Sequence, residues 1–112
     1  MPTIRIIALP TVRLYLRELV QTLYDKGYFG FEEFAQQYVD DLIADIRTDL
    51  SVKLHKPAPP YFDRYGRHML YAAFRKNKGT QWYVFFNLYR RGEEIIYLIR
   101  YINNNHFIAQ YL

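Results

Sequence analysis

The sequence predicts an α+β domain in which two helices cover one face of a mostly antiparallel sheet of four strands. Two consecutive segments in the first half of the chain each carry one apolar stripe at helical spacing. The stretch from His68 to Leu112 alternates aromatic and β-branched residues and contains two glycine turns. Because each helix must bury its stripe, the apolar face of this C-terminal sheet is the expected partner.

The chain begins with a predicted strand over Thr3–Leu9, which is rich in isoleucine. Pro10 ends that strand, and Thr11 is placed to cap the helix that follows. The first helix is predicted over Val12–Lys26, with Gly27 at the position after its end, where a left-handed backbone is common. The second helix is predicted to run antiparallel to the first.

The second helix is predicted from Phe31 to about Leu50. The segment 51–67 after it contains three prolines, which exclude a further helix there. A connection of this length is expected either to be functional or to be packed by Tyr61, Phe62 and Tyr65. The apolar stripe of the second helix comprises Phe31, Phe34, Ala35, Tyr38, Leu42, Ile46 and Leu50.

The C-terminal stretch is predicted to form a three-strand antiparallel meander. Its strands are His68–Lys76, Trp82–Tyr89 and Glu94–Ile102, and its turns are centred on residues 78–79 and 91–92, each with a glycine. A short polar tail follows.

These turns pair Lys76 with Gln81 and Tyr89 with Glu94, which divides the side chains between two faces. A three-residue second loop would instead pair Tyr89 with Glu93 and move Arg100 to the other face, because a slip of one residue inverts a strand. The predicted apolar face carries Met69, Tyr71, Ala73, Trp82, Val84, Phe86, Leu88, Ile95, Tyr97, Ile99 and Tyr101. The predicted mixed face carries Phe74, Lys76, Tyr83, Phe85, Asn87, Tyr89, Glu94, Ile96, Leu98 and Arg100.

Composition is typical of one globular domain spanning residues 1–112. A hydrophobic content of 51% and an aromatic content of 19% exclude a disordered chain. The absence of cysteine excludes disulfides and thiolate metal sites, and three scattered histidines do not have metal-ligand spacing, so no metal or cofactor is expected. No apolar run approaches the length of a membrane span, so we expect a cytoplasmic protein without a membrane partner.

Charge is divided unevenly along the chain. Residues 1–60 hold seven Lys and Arg against eight Asp and Glu, a net charge of −1, whereas residues 61–112 hold eight against three, a net charge of +5. Such an asymmetry favours contact between the sheet half and a polyanion, although a solvated basic surface explains it equally well.

The element order and several local segments resemble the RelE/ParE toxin superfamily of bacterial type II toxin–antitoxin modules. The segment from Leu70 to Arg75 is similar to a family strand with a Leu-Tyr-x-x-Arg pattern, and the segment 82–86 resembles the aromatic strand after it. Ile99-Arg100-Tyr101-Ile102 and the tail from Asn105 through Tyr111 resemble the last strand and the family's basic or aromatic tail.

This resemblance implies a ribosome-dependent mRNA endoribonuclease that works without metal. The 2′-hydroxyl of the message attacks the adjacent phosphate, so the site needs proton-transfer groups and cations around that phosphate. The positions that correspond to the family's catalytic residues are Arg75, Arg100, His106 and Tyr111. We expect the tail to fold back so that Arg100 and His106 reach one phosphate, with Tyr111 or Lys76 as helper.

RNA contacts are expected from basic and tyrosine side chains of the meander, because arginine and lysine bind phosphates and aromatic rings stack on bases. These residues are Lys76, Lys78, Tyr83, Tyr89, Arg90 and Arg91. Each candidate also has a structural alternative. Arg100 can pair with an acidic residue of the second helix, His106 can hydrogen-bond within a polar turn, and Tyr111 can dock on the core.

The partners implied by the resemblance are a cognate antitoxin protein, the ribosome and mRNA. The alternative function is a non-catalytic binder on the same fold, such as a ParE-like inhibitor of DNA gyrase or an inactive toxin-fold protein. A more distant alternative is an RNA- or protein-binding domain unrelated to toxins. The nuclease hypothesis requires His106 and the arginines to converge, and the binder hypothesis does not.

Overall fold

A computed structural model describes residues 2–112 and contains a mixed five-stranded sheet with helices, which confirms the α+β class. The helices are α1 (Pro10–Asp25), α2 (Glu32–Asp49) and the short α3 (Asn105–Ile108). The strands are β1 (Thr3–Ala8), β2 (Lys56–Pro57), β3 (Leu70–Asn77), β4 (Thr80–Arg91) and β5 (Glu94–Asn104).

Strand order in the sheet is β1-β5-β4-β3-β2. β3, β4 and β5 pair antiparallel, whereas β1 pairs parallel to β5, from Thr3 opposite Glu94 to Ala8 opposite Ile99. The prediction of four strands was incomplete, because the two-residue β2 adds an antiparallel partner for β3.

The two long helices lie close to their predicted bounds. Gly27 has a positive φ of 77° after the end of α1, as expected. Thr11 is not the cap: Leu9 holds that position without a side-chain hydrogen bond, and Pro10 occupies the first turn, where its missing N–H costs nothing. Phe31 and Phe34, predicted to be in the stripe of α2, are exposed, because the buried stripe begins only at Ala35.

The β3–β4 pairing differs by one residue from the prediction. Arg75, and not Lys76, lies opposite Gln81, and an irregularity at residue 76 absorbs the difference. Phe74 therefore shares its face with Trp82. We call this the helix face, since its side chains pack against α1 and α2; they are Ala72, Phe74, Trp82, Val84, Phe86, Tyr97, Ile99 and Ile102. Met69, Tyr71 and Ala73 were assigned to this face wrongly.

The β4–β5 turn is also displaced from the predicted position. Tyr89 lies opposite Ile96 instead of Glu94, which pairs with Arg91, so the turn is centred on Gly92 and Glu93. A shift of two residues leaves every side chain on the same face of its strand. The side chains of β4 and β5 therefore lie on their predicted faces from the turn as far as Phe86 and Ile99. A bulge at Arg100 then places Tyr101 opposite Phe85, away from the helices and against prediction.

The opposite side of the sheet, the outer face, is largely covered. A 3₁₀ turn over Pro60–Arg64 and the tail pack on it and form a second apolar cluster of Phe62, Met69, Phe85 and Ile108. This confirms that the proline-rich segment is packed by its aromatic residues. It corrects the assignment of Phe85 to a partly polar, mixed face, because Phe85 is fully buried.

Candidate functional site

A groove of about 810 Å³ lies where α1, the α1–α2 turn, the β3–β4 turn and the tail meet. We call it the His106 groove. Lys26, Lys76 and His106 bring basic groups to it, and Glu18 is its one acidic residue. The remaining lining is mainly aromatic or amide, and includes Tyr15, Tyr28, Phe29, Tyr38, Trp82, Asn103, Asn104 and Phe107.

Asparagine side chains hold the tail at this groove. Asn104 Oδ1 accepts a hydrogen bond from the backbone N–H of His106 at 2.9 Å and so caps α3. Asn105 Oδ1 accepts from the N–H of Gln81 at 2.9 Å, and its Nδ2 donates to the carbonyl of Gly79 at 3.2 Å. The asparagine run therefore fixes the tail to the β3–β4 turn.

His106 itself remains exposed, with Nε2 3.4 Å from Oγ1 of Thr80. The groove floor is ordered by Trp82, whose Nε1–H donates to the hydroxyl of Tyr38 at 2.9 Å. Lys76 Nζ lies 5.0 Å from the ring centroid of Tyr38 and 3.9 Å from a carboxylate oxygen of Asp45. His106 and Lys76 are therefore the predicted site residues that the structure brings to one groove.

Arg100 lies elsewhere, on the outer face. Its Nε donates to Asn87 Oδ1 at 2.6 Å and its Nη2 to the hydroxyl of Tyr89 at 3.0 Å. The stem of Arg100 crosses Gly66, where an added Cβ would stand 2.5 Å from its Cδ. The guanidinium is thus held by neutral partners on the face opposite α2, so the alternative of an ion pair with that helix is also wrong.

The expected convergence of Arg100 and His106 does not occur. His106 is beside Thr80 at one end of β4, whereas the guanidinium of Arg100 points to Asn87 and Tyr89 near the other end. Thr80 and Asn87 are separated by about 23 Å along the strand at the usual rise per residue. One phosphate cannot contact both groups.

The other two predicted catalytic residues are also apart from the His106 groove. Arg75 is exposed at the end of β3, opposite Gln81, and donates from Nε to the carbonyl of Asn77 at 3.2 Å. Tyr111 stacks on Tyr61 with 3.6 Å between ring centroids, as a docked terminal aromatic would. The neighbouring Tyr61 hydroxyl raises the pKa of Tyr111 above its ordinary value.

The predicted RNA-binding residues fall into two groups at opposite ends of β4. Lys76, Lys78 and Tyr83 lie toward the β3–β4 turn, and the Tyr83 hydroxyl accepts from Gln81 Nε2 at 3.0 Å. Tyr89, Arg90 and Arg91 are exposed toward the β4–β5 turn, and the half-buried Arg100 donates to the hydroxyl of Tyr89 there.

Sequence patterns did not predict that α1, α2 and the turn between them line the groove, through Tyr15, Lys26, Phe29 and Tyr38. The sequence feature that indicates this contribution is the turn after α1, because Tyr28 and Phe29 are larger and more apolar than a solvent-exposed connection requires. Within residues 2–112, no group of three or more His, Asp or Glu side chains is arranged to hold a metal ion. No helix in this range is long and apolar enough to cross a membrane.

Tyr15, which lines this groove, should make the free energy of unfolding depend on pH in the alkaline range. Burial, with a smaller contribution from Tyr101, raises the pKa of Tyr15 to about 12. Because the folded pKa lies above the unfolded value of about 10, the stabilisation is complete below pH 10 and is lost as pH rises toward 12. We expect Tyr15→Phe to flatten the decline of unfolding free energy over this range, measured by urea denaturation. An equally steep decline in both proteins would contradict this assignment.

Comparison of the chain with protein-family models, curated proteins and solved structures finds no match.

Proposed function

We propose that this domain is the toxin of a bacterial type II toxin–antitoxin module and that it arrests growth by binding its target without cutting RNA. Binding without cleavage is supported by the separation of Arg100 from His106 along β4. A ParE-like inhibitor of DNA gyrase is the corresponding mode of action. The assignment as a toxin is supported by the element order and by the segments that resemble the RelE/ParE superfamily.

The binding surface in this proposal is the His106 groove. Tyr28 and Phe107 both line the groove and are 69% and 57% exposed, and exposed apolar patches bordered by polar residues mark interaction sites. Aromatic residues with basic neighbours are typical of the energetically dominant positions in protein interfaces. The cognate antitoxin is proposed to neutralise the toxin by covering the basic half, residues 61–112, with an acidic or amphipathic segment.

A ribosome-dependent endoribonuclease remains the second candidate, because His106 and Lys76 line the same groove. In that mechanism His106 would transfer the proton and Lys76 would hold the phosphate, while Arg75, Arg100 and Tyr111 would have no direct role. The mRNA and ribosome would then be the partners.

Controlled expression in a bacterial host distinguishes these functions. We expect growth arrest without new mRNA ends in primer extension, and inhibition of gyrase supercoiling by the purified protein. Tyr28→Ala and Phe107→Ala should each weaken target binding about tenfold, as loss of a central aromatic contact does. Leu54→Ala is the matched control, since Leu54 is 75% exposed and lies outside the groove.

Cleaved mRNA would decide for the nuclease. In that case His106→Ala and Lys76→Gln should each slow cleavage by about a hundredfold or more. Lys56→Gln should not, because Lys56 is exposed on the edge strand β2 and lies outside the groove. A host that grows normally under full expression of folded protein would contradict both candidates.

A further inference from the structure

A second cavity, of about 520 Å³, lies between α1, α2 and the β1–β5 side of the sheet. Its volume falls in the usual range for sites that bind small molecules. It shares no lining residue with the His106 groove. The apolar part of its lining comprises Ile6, Ile7, Ala8, Val12, Leu16, Val20, Val39, Ile43, Ile46, Ile99 and Ile102.

This lining is entirely aliphatic, although aromatic residues make up 19% of the chain. Planar ligands such as nucleobases are generally held by stacking on aromatic rings, and such rings are absent from this cavity. A wall of branched aliphatic side chains instead favours a flexible hydrocarbon chain, which gains affinity from the apolar area it buries.

Three arginines and a glutamine supply all the polar side chains of the cavity. Arg13 and Arg17 lie one turn apart on α1, Arg47 lies in the last turn of α2, and Gln36 is near the start of α2. None of the lining residues is acidic, and the salt bridges in residues 2–112 involve Arg5 and Lys76 instead. Three cations border one apolar cavity without a carboxylate partner.

We propose that this cavity binds a single-chain aliphatic carboxylate. The hydrocarbon chain fills the aliphatic interior, and the carboxylate pairs with the guanidinium groups of Arg13, Arg17 and Arg47. The planar fork of arginine matches the two oxygens of a carboxylate, and the pairing supplies the anion that the chain itself lacks there. This site does not depend on the function proposed for the His106 groove.

Calorimetric titration of the intact protein with octanoate, decanoate and dodecanoate below their micelle concentrations tests the proposal. Affinity should rise about fourfold for each methylene that enters the cavity. Dodecyltrimethylammonium, which has a similar chain and the opposite charge, should bind at least tenfold more weakly than dodecanoate. No detectable binding, or equal binding of the two amphiphiles, would overturn the proposal.

Arginine variants test the head-group contacts separately. Arg13→Gln, Arg17→Gln and Arg47→Gln should each weaken dodecanoate binding, and the triple variant should lose at least tenfold. Arg90→Gln is the matched control, because Arg90 is exposed on β4 and lies outside the cavity. All four arginines are exposed, so the variants should keep the melting temperature of the parent protein. Unchanged affinity in the triple variant would also overturn the proposal.

Discussion

Replacing Phe85 with alanine should destabilise the domain by about 3–5 kcal/mol, the usual cost of removing a buried phenylalanine. Phe85 is fully buried and stacks on Phe62, with 4.3 Å between ring centroids. Its other ring neighbours are Tyr71 and Tyr101, at 5.3 and 5.7 Å. Urea denaturation of the two proteins measures this loss as a lower free energy of unfolding.

Leu88→Ala is the matched control on the same strand. Alternation alone predicts Leu88 on the apolar face and Phe85 on the mixed face, whereas Leu88 is 42% exposed and Phe85 is fully buried. Its truncation should cost less than about 1 kcal/mol, because much of its side chain already contacts solvent. A larger loss for Leu88→Ala than for Phe85→Ala would contradict the covered outer face.

Ile108→Ala should cost about 2–5 kcal/mol and should release the tail from the sheet. Ile108 is 3% exposed and joins Phe62, Met69 and Phe85 in the second apolar cluster. Since His106 belongs to the same short helix, loosening Ile108 should also disorder the border of the His106 groove. Urea denaturation reports the stability, and hydrogen exchange at residues 105–111 reports the tail.

The neighbouring Phe107 provides the control for this prediction. Phe107→Ala removes a larger side chain, but that side chain is 57% exposed, so the change in stability should be about 0.5 kcal/mol or less. Equal losses for the two variants would show that the tail is not fixed through Ile108.

The helices could be predicted from the sequence because each has a single apolar stripe and a clear end signal. Gly27 marks the end of α1, and the apolar stripe from Ala35 to Leu50 defines the buried face of α2. The β3 register could not be predicted in the same way. Tyr71 and Ala73 are as apolar as Ala72 and Phe74, so alternation does not distinguish the two faces, and the irregularity at Lys76 decides between them.

The candidate site was predicted only in part. His106 and Lys76 were identified as basic residues near a polar turn, and the structure places both in one groove. Arg100 was expected beside them because the tail was predicted to fold back over the last strand. The bulge at Arg100 and its hydrogen bonds to Asn87 and Tyr89 hold it elsewhere, and none of these contacts leaves a sequence signal.

The parallel pairing of β1 with β5 joins two segments that are distant in sequence, since Thr3 and Glu94 are 91 positions apart. During synthesis β1, α1 and α2 leave the ribosome before the meander, and their apolar surfaces have no sheet to cover until it follows. Contacts between such distant segments also slow folding, because a long loop must close before they form. The segment from β1 to α2 is therefore exposed to aggregation and to chaperones until β5 has emerged, and a shortened chain that ends before β5 should not fold.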